Sequence, residues 1–177
     1  MTNTTPTLLD AERSDLLEML AKHRFFLRFT TRELTDEQAR TRTTASELTL
    51  GGLIKHVAAV EANWATFILD GPEAAPDFSA MTEEEIAAWG DAFVLRPDET
   101  LAGVLAEYER VAARTDELVR TLPDLNVTQP LSQAPWFEPG GRWSARRVFM
   151  HIMTETAQHS GHADIIRESL DGAKSMG

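Results

Sequence analysis

The sequence predicts an all-α fold: a four-helix bundle with a crossover connection and a short extra helix between the second and third long helices. Apolar residues recur at helical spacing in four long segments, caps and stop residues bound those segments, and no segment indicates a β-hairpin. The 177 residues are the size of one domain, so we expect a single bundle over residues 1–177.

The first half of the chain predicts two long helices. The first extends from about residue 9 to residue 33, and residues 34–38 then form a short turn of helix. The second begins after Thr49, a predicted N-cap, and ends before Gly71. The pair Gly51-Gly52 is a poor helix former, and we interpret it as allowing another helix or a loop to approach closely.

The second half predicts the other two. The connection over residues 72–97 contains a capping-box pattern that predicts a short helix beginning at Thr82. The third long helix extends from about residue 98 to residue 122, and residues 123–142 form a loop. The last helix begins after Ser144, another predicted N-cap, and continues to about residue 170.

Composition excludes several kinds of site and partner. The chain has no cysteine, which excludes disulfides, thiolate catalysis and cysteine-based metal sites. Its formal charge of −11 disfavours nucleic acid as a partner, because such binding depends on Lys and Arg that neutralise phosphates. We see no signal-peptide pattern and no apolar run long enough to span a membrane, so we expect a cytoplasmic protein without membrane contact.

Three of the five histidines fall within residues 151–162, around a glutamate. On a helix, His151, Glu155, His159 and His162 share one face. Glu155 and His159 stand at i and i+4, the spacing by which helical metal sites direct two ligands at one ion. The alternative is a solvated face with a few i,i+4 hydrogen bonds. Apolar neighbours on the same side favour the metal, because a buried polar cluster needs a partner.

The candidate for a third ligand is His56, which lies within the apolar pattern of the second helix. Its alternative role is that of a core histidine bonded to a neighbour. His23 lies among charged residues of the first helix, and we interpret it as a surface or edge residue. Two histidines and one carboxylate suit zinc, nickel, iron or manganese.

Two segments resemble the signatures of the DinB-like (YfiT-like) metalloprotein superfamily. The resemblance covers nearly the whole chain, and both motifs in this order are fairly specific. It is closest to the branch of mini-circle or DinB-like proteins of actinobacteria. The segments are Thr49-Leu-Gly-Gly-Leu-Ile-Lys-His56, continued to Trp64, and Arg142-Trp143-Ser144 followed by His151-x-x-x-Glu155-x-x-x-His159-Ser-Gly-His162.

The resemblance implies a four-helix bundle whose metal is held by a histidine of the second helix and two ligands four residues apart on the last. These positions match His56, Glu155 and His159. Many relatives have histidine in place of Glu155, whereas the mycothiol-dependent maleylpyruvate isomerase branch has the His, Glu, His set. That enzyme's additional C-terminal domain is not evident here, so its isomerase activity is not carried over.

The resemblance also implies chemistry with a low-molecular-weight thiol such as mycothiol or bacillithiol. We expect a transferase or isomerase in detoxification or stress response, in which one divalent ion, zinc first, activates the thiol. The alternatives are a non-catalytic metal- or ligand-binding stress protein and a metal-dependent hydrolase. The substrate is expected to be a small molecule, and homodimerisation is left open.

Two further histidines are candidates for a catalytic role. His162 lies one turn beyond His159, and it is interpreted as a further ligand, an orienting group or a proton carrier. His151 lies one turn before Glu155, which it is interpreted to orient.

Aromatic and basic residues near both motifs are candidates for a substrate wall. Each also has a structural role as its alternative: a hydrophobic staple for Trp143, a core position for Trp64, and a solvated first turn for the arginines. The cofactor-binding candidates are Asn63, Trp143 and Arg146, and the further candidates for the wall or for attracting an anion are Trp64, Trp136, Phe137, Arg142 and Arg147.

Overall fold

Helices make up most of the computed structural model, which describes residues 10–74, 81–82, 84, 90, 93–134 and 136–176. The all-α prediction is therefore confirmed. Among the described residues, none of the helices has the length and apolar character that crossing a bilayer would require. In chain order the elements are α1 (Ala11–Phe29), α2 (Asp36–Arg40), α3 (Leu50–Asp70), a 3₁₀ turn (Gly71–Ala74), α4 (Leu101–Thr121), β1 (Thr128–Pro130), β2 (Arg142–Ser144) and α5 (Ala145–Asp171).

Hydroxyl side chains cap the starts of α3, α4 and α5. Thr49 Oγ1 accepts a hydrogen bond from the Gly52 N–H at 3.2 Å, and Ser144 Oγ accepts one from the Arg147 N–H at 3.2 Å. Both predicted N-caps are confirmed. α4 begins slightly later than residue 98, because Thr100 is its N-cap.

α1 ends at Phe29, about one turn before the predicted end at residue 33. The Thr30 hydroxyl donates a hydrogen bond to the Leu27 carbonyl oxygen at 2.7 Å, and such a bond competes with the helical pattern. Glu33 then has a φ of 61°, in the left-handed region, so the chain cannot continue as a helix.

α3 and α4 run in the same direction, which requires a crossover connection. Lys55 Nζ, near the start of α3, lies 2.8 Å from a carboxylate oxygen of Glu99, just before α4. Ala62 and Val111 line the same groove further along both helices. This parallel arrangement of the two helices is the one that the predicted crossover connection gives. The short helix predicted over residues 82–89 lies largely outside the described residues.

Two apolar clusters fill the bundle, and a buried charged pair lies between them. Arg24 stands between Leu20 and Leu27 on α1, and its guanidinium contacts the fully buried Glu61 of α3. The first cluster includes Leu27, Leu53, Val57, Val104 and Ile166, and the second includes Leu20, Phe67, Val119, Val148 and Ile152.

The interpretation of residues 123–142 as loop alone is wrong in one place, because β1 and β2 pair as antiparallel strands. Each strand has only three residues, too few to show the alternation that predicts a strand from sequence. The pairing sets Trp143 opposite Gln129 and delivers the chain directly to the N-cap of α5.

Candidate metal centre

Antiparallel packing of α3 and α5 brings His56, Glu155 and His159 together. One ligand atom from each residue lies within 4.8 Å of those of the other two. Nε2 of His159 is 3.7 Å from Oε2 of Glu155, and the ring centroids of His56 and His159 are 4.9 Å apart. All three side chains are half-buried. The three residues that the sequence predicts as metal ligands therefore lie close together in the structure.

The donor atoms suit a divalent cation. Ligands that share one zinc ion lie roughly 3.5 Å apart, because each is about 2.0–2.2 Å from the ion. The distance between His159 and Glu155 is close to that value. No described residue donates a hydrogen bond to Glu155, so its carboxylate is left without a partner of that kind. Two imidazoles and an unpaired carboxylate, half-buried together, form a set that a cation would complete.

Burial keeps the two imidazoles neutral at physiological pH. Desolvation, followed by the nearby His159, lowers the pKa of His56 to about 4. Desolvation, followed by His162, also lowers the pKa of His159. A metal binds the unprotonated imidazole, so neither ring needs to lose a proton first. The contacts of Glu155 with histidine are consequently not ion pairs at neutral pH.

The two other histidines of α5 flank the donor set. Nδ1 of His162 lies 3.3 Å from Nδ1 of His159, at hydrogen-bonding distance, which leaves Nε2 of His159 facing Glu155. Nε2 of His151 lies 3.8 Å from Oε1 of Glu155, which is too long for a hydrogen bond. His162 therefore contacts a candidate ligand directly, and His151 stands beside the other.

Phe93 is a part of the site that the sequence did not identify. Its ring stacks on His56 with centroids 3.8 Å apart and planes 20° apart. The close approach depends on Gly52, where an added Cβ would lie 1.8 Å from the Phe93 carbonyl oxygen. The prediction that Gly51 and Gly52 allow another segment to approach closely is confirmed, because an added Cβ at either glycine would collide with residues 93–95. The glycine pair indicated that some segment packs closely at this point of α3, but it did not indicate that the segment is the one that carries Phe93.

Three aromatic rings, Trp64, Phe137 and Trp143, form an aromatic wall beside the donor set. Trp64 and Trp143 stack with centroids 4.9 Å apart and planes 16° apart, and Phe137 contacts both edge-on. Both tryptophans also contact the ring of His151, at 4.8 and 4.9 Å. Trp136 is exposed and lies further out, with its ring 6.1 Å from that of Phe137. His151 therefore lies between the aromatic wall and Glu155.

The remaining candidates lie away from the donor set or are bonded elsewhere. Arg146 pairs with Glu12 of α1 and donates to Asn126 Oδ1 at 2.6 Å. Asn63 is exposed, and its side chain hydrogen-bonds to no described residue. His23 is half-buried at the edge of α1, where its carbonyl oxygen accepts a 3.5 Å hydrogen bond from Ser160.

A comparison with protein families finds a match that covers both halves of the site. The sequence model of the family described as Mycothiol-S-transferase matches residues 15–172. The matched range contains His56, Glu155 and His159 together with the aromatic wall. No curated protein matches the chain.

Proposed function

The chain belongs to the mycothiol-S-transferase family of the DinB-like superfamily, and from that premise we propose that it is a metal-dependent S-transferase acting with a low-molecular-weight thiol. The observation that carries the proposal is the convergence of His56, Glu155 and His159 beside the aromatic wall. In the reaction, the thiol sulfur bonds to an electrophilic carbon of a second small molecule. The leaving group departs with the electron pair of the broken bond, and the thiol proton passes to a base. Such chemistry fits detoxification or a stress response.

His56, Glu155 and His159 would hold one divalent ion, with zinc as the first choice and nickel, iron or manganese as alternatives. When bound, the ion would supply a Lewis acid that favours the thiolate form of a thiol. The chain has no cysteine, so no thiolate of its own would compete for the ion.

The flanking residues of α5 orient the donor set and receive the proton. His162 Nδ1 pairs with His159 Nδ1 and so holds the His159 ring with Nε2 toward Glu155. Desolvation, with a contribution from Arg147 and against the effect of Glu155, lowers the pKa of His151. His151 is therefore neutral, and its ring makes no hydrogen bond to a described residue, so a ring nitrogen can accept the thiol proton. The aromatic wall excludes water from that side of the site.

Metal analysis of purified protein tests the donor set. After zinc treatment and desalting, we expect close to one zinc per chain in the parent and none retained by His56→Ala or His159→Ala. His23→Ala is the matched control, since it removes a histidine outside the site and should keep the metal. A folded parent that takes up no zinc, nickel, iron or manganese would overturn the metal assignment.

Thiol consumption tests the reaction class with the same preparations. Mycothiol or bacillithiol is incubated with an electrophile such as a chloronitrobenzene, and loss of free thiol is compared between parent and His159→Ala. We expect enzyme-dependent loss of thiol in the parent alone. Hydrolysis without any thiol would indicate a metal-dependent hydrolase instead, and retained metal with no turnover would indicate a binding protein.

A further inference from the structure

Arg147 differs from the two arginines near it, because its guanidinium makes no hydrogen bond and no ion pair with a described residue. Arg142 donates to the Thr128 carbonyl oxygen at 2.8 Å. Arg146 is paired with Glu12. The guanidinium of Arg147 donates no hydrogen bond to a described residue and meets no described carboxylate. Of these three cations, Arg147 alone has all its side-chain donors available for a ligand.

The guanidinium of Arg147 lies against the aromatic wall. Its Cζ atom is 4.5 Å from the centre of the Trp143 ring, and Trp143 in turn stacks on Trp64. A guanidinium that rests on an aromatic face is attracted by the ring and leaves its edge N–H groups exposed. The stack therefore restrains the cation without using its hydrogen-bond donors.

Arg147 lies one turn before His151 on α5, in a row of side chains that continues to the candidate ligands. Arg147, His151, Glu155 and His159 follow one another at steps of four residues, so each side chain neighbours the next on the helix surface. Along the helix axis, Arg147 lies roughly 12 Å from Glu155.

We propose that Arg147 and the stacked Trp64–Trp143 pair form an anion-binding subsite, which selects an electrophilic substrate with an aromatic or apolar body and a carboxylate at its far end. The body lies along the aromatic wall, and the carboxylate meets the free N–H groups of Arg147. The electrophilic carbon then reaches the donor set roughly 12 Å away. This inference rests on the proposed function, since it names the substrate class of the same site.

A matched pair of probes tests the subsite by calorimetric titration. Biphenyl-4-carboxylate and its uncharged isostere biphenyl-4-carboxamide have the same body and differ in charge. Because Arg147 is exposed, we expect the carboxylate to bind only about fivefold more tightly than the amide, and the preference to weaken as salt is raised. Arg147→Gln should abolish the preference and leave the amide affinity unchanged, whereas Arg147→Lys should retain part of it. Arg142→Gln, which removes the same charge near Trp143, should retain it fully.

Titrations of zinc-treated and EDTA-treated protein separate the subsite from the ion. A preference that survives Arg147→Gln, or that disappears with EDTA, would place the carboxylate on the metal and overturn the inference. Failure of both probes to bind the parent would also overturn it. Zinc content and thiol consumption are measured on the same preparations. A protein that holds no zinc and consumes no thiol, yet prefers the carboxylate through Arg147, would overturn the proposed function and leave the subsite standing.

Discussion

The bundle contains two groups of polar residues, and they differ in whether other side chains of the protein satisfy their hydrogen bonds. The inner pair, Arg24 and Glu61, is bonded twice, with Arg24 N–H groups 2.5 and 3.1 Å from the two carboxylate oxygens. The outer cluster consists of His56, Glu155 and His159, and its closest approach that involves the carboxylate is 3.7 Å. The protein itself satisfies the inner pair, whereas the Glu155 carboxylate of the outer cluster lies just beyond hydrogen-bonding distance of His151 and His159.

This difference separates a structural role from a binding role. The Arg24 side chain is 4% exposed and that of Glu61 is fully buried, so each charge depends on its partner. Burial acts to lower the pKa of Arg24, but Glu61 and then Asp116 outweigh it and raise the pKa. The outer cluster is half-buried and open to a ligand. We infer that the inner pair serves the fold and that the outer cluster serves an ion.

Breaking the inner pair should have the largest effect on stability. Arg24→Met leaves the carboxylates of Glu61 and Asp116 without the guanidinium, so the free energy of unfolding should fall by about 3–5 kcal/mol. Urea denaturation measures this loss. Exposed Arg110 provides the matched control, and Arg110→Gln should change the free energy by about 0.5 kcal/mol at most.

A second substitution identifies the cause of that loss. In Arg24→Met/Glu61→Leu the buried pair is replaced by apolar side chains, which should recover most of the stability. If Arg24→Met alone lowered the free energy of unfolding no more than Arg110→Gln does, the inner pair would not stabilise the fold.

Zinc should stabilise the protein through the outer cluster alone. Binding to the folded state at a free concentration of 100 Kd adds about 2.7 kcal/mol to the free energy of unfolding. We expect this gain in EDTA-treated parent protein after zinc is added, and not in His159→Ala, as measured by urea denaturation. Arg24→Met should keep the gain, because its defect lies in the inner pair. An equal gain in His159→Ala would show that zinc binds elsewhere.

Gly52→Ala should disturb the outer cluster without touching any ligand. The new Cβ would collide with the Phe93 carbonyl oxygen, so the segment that carries Phe93 must move off His56. We expect a loss of about 1–3 kcal/mol in stability and weaker zinc affinity. Gly161→Ala is the control, since nothing lies within 4 Å of its added Cβ, and it should stabilise α5 by about 0.5–1 kcal/mol. Unchanged zinc affinity in Gly52→Ala would exclude a role for the stacked ring.

The two polar groups also differ in how well the sequence predicts them. Glu155 and His159 belong to one helix, so their spacing alone places them side by side. His56 was assigned from its place in an apolar pattern and from the resemblance to a family. The inner pair was not predicted, because Arg24 follows Lys22 and His23 and reads as a solvated segment. Its pairing with Glu61 depends on how α1 and α3 face each other, which local patterns do not contain.

For the fold and the surroundings of the site too, the sequence predicts local features and misses contacts between distant parts of the chain. Thr49 and Ser144 cap their helices through bonds to residues three positions on, so the sequence places these starts correctly. The pairing of β1 with β2 and the stacking of Phe93 on His56 join residues far apart in the chain. Contacts of that kind become visible only when the elements are packed together.

The outer cluster should also give the stability a pH dependence. Burial lowers the pKa of His56 in the folded protein to about 4, below its ordinary value near 6.5. The unfolded chain therefore takes up a proton near pH 6.5, whereas the folded metal-free protein does so only near pH 4. This contribution to stability is present above pH 6.5, is lost as the pH falls from about 6.5 to about 4, and does not change further below that range. The Arg24 guanidinium of the inner pair stays charged throughout.

Thermal denaturation of EDTA-treated protein between pH 7.5 and pH 4 measures this dependence. His56→Gln should flatten part of the decline in Tm, because the substituted residue takes up no proton in either state. Adding zinc to the parent should steepen the decline, since protons and metal then compete for the same nitrogens. His23→Gln is the control, and it should flatten the decline less, because less of the His23 ring is buried than of the His56 ring. If His56→Gln left the slope unchanged with and without zinc, the titrating group would lie elsewhere, and the contrast between the two polar groups would not extend to their protonation.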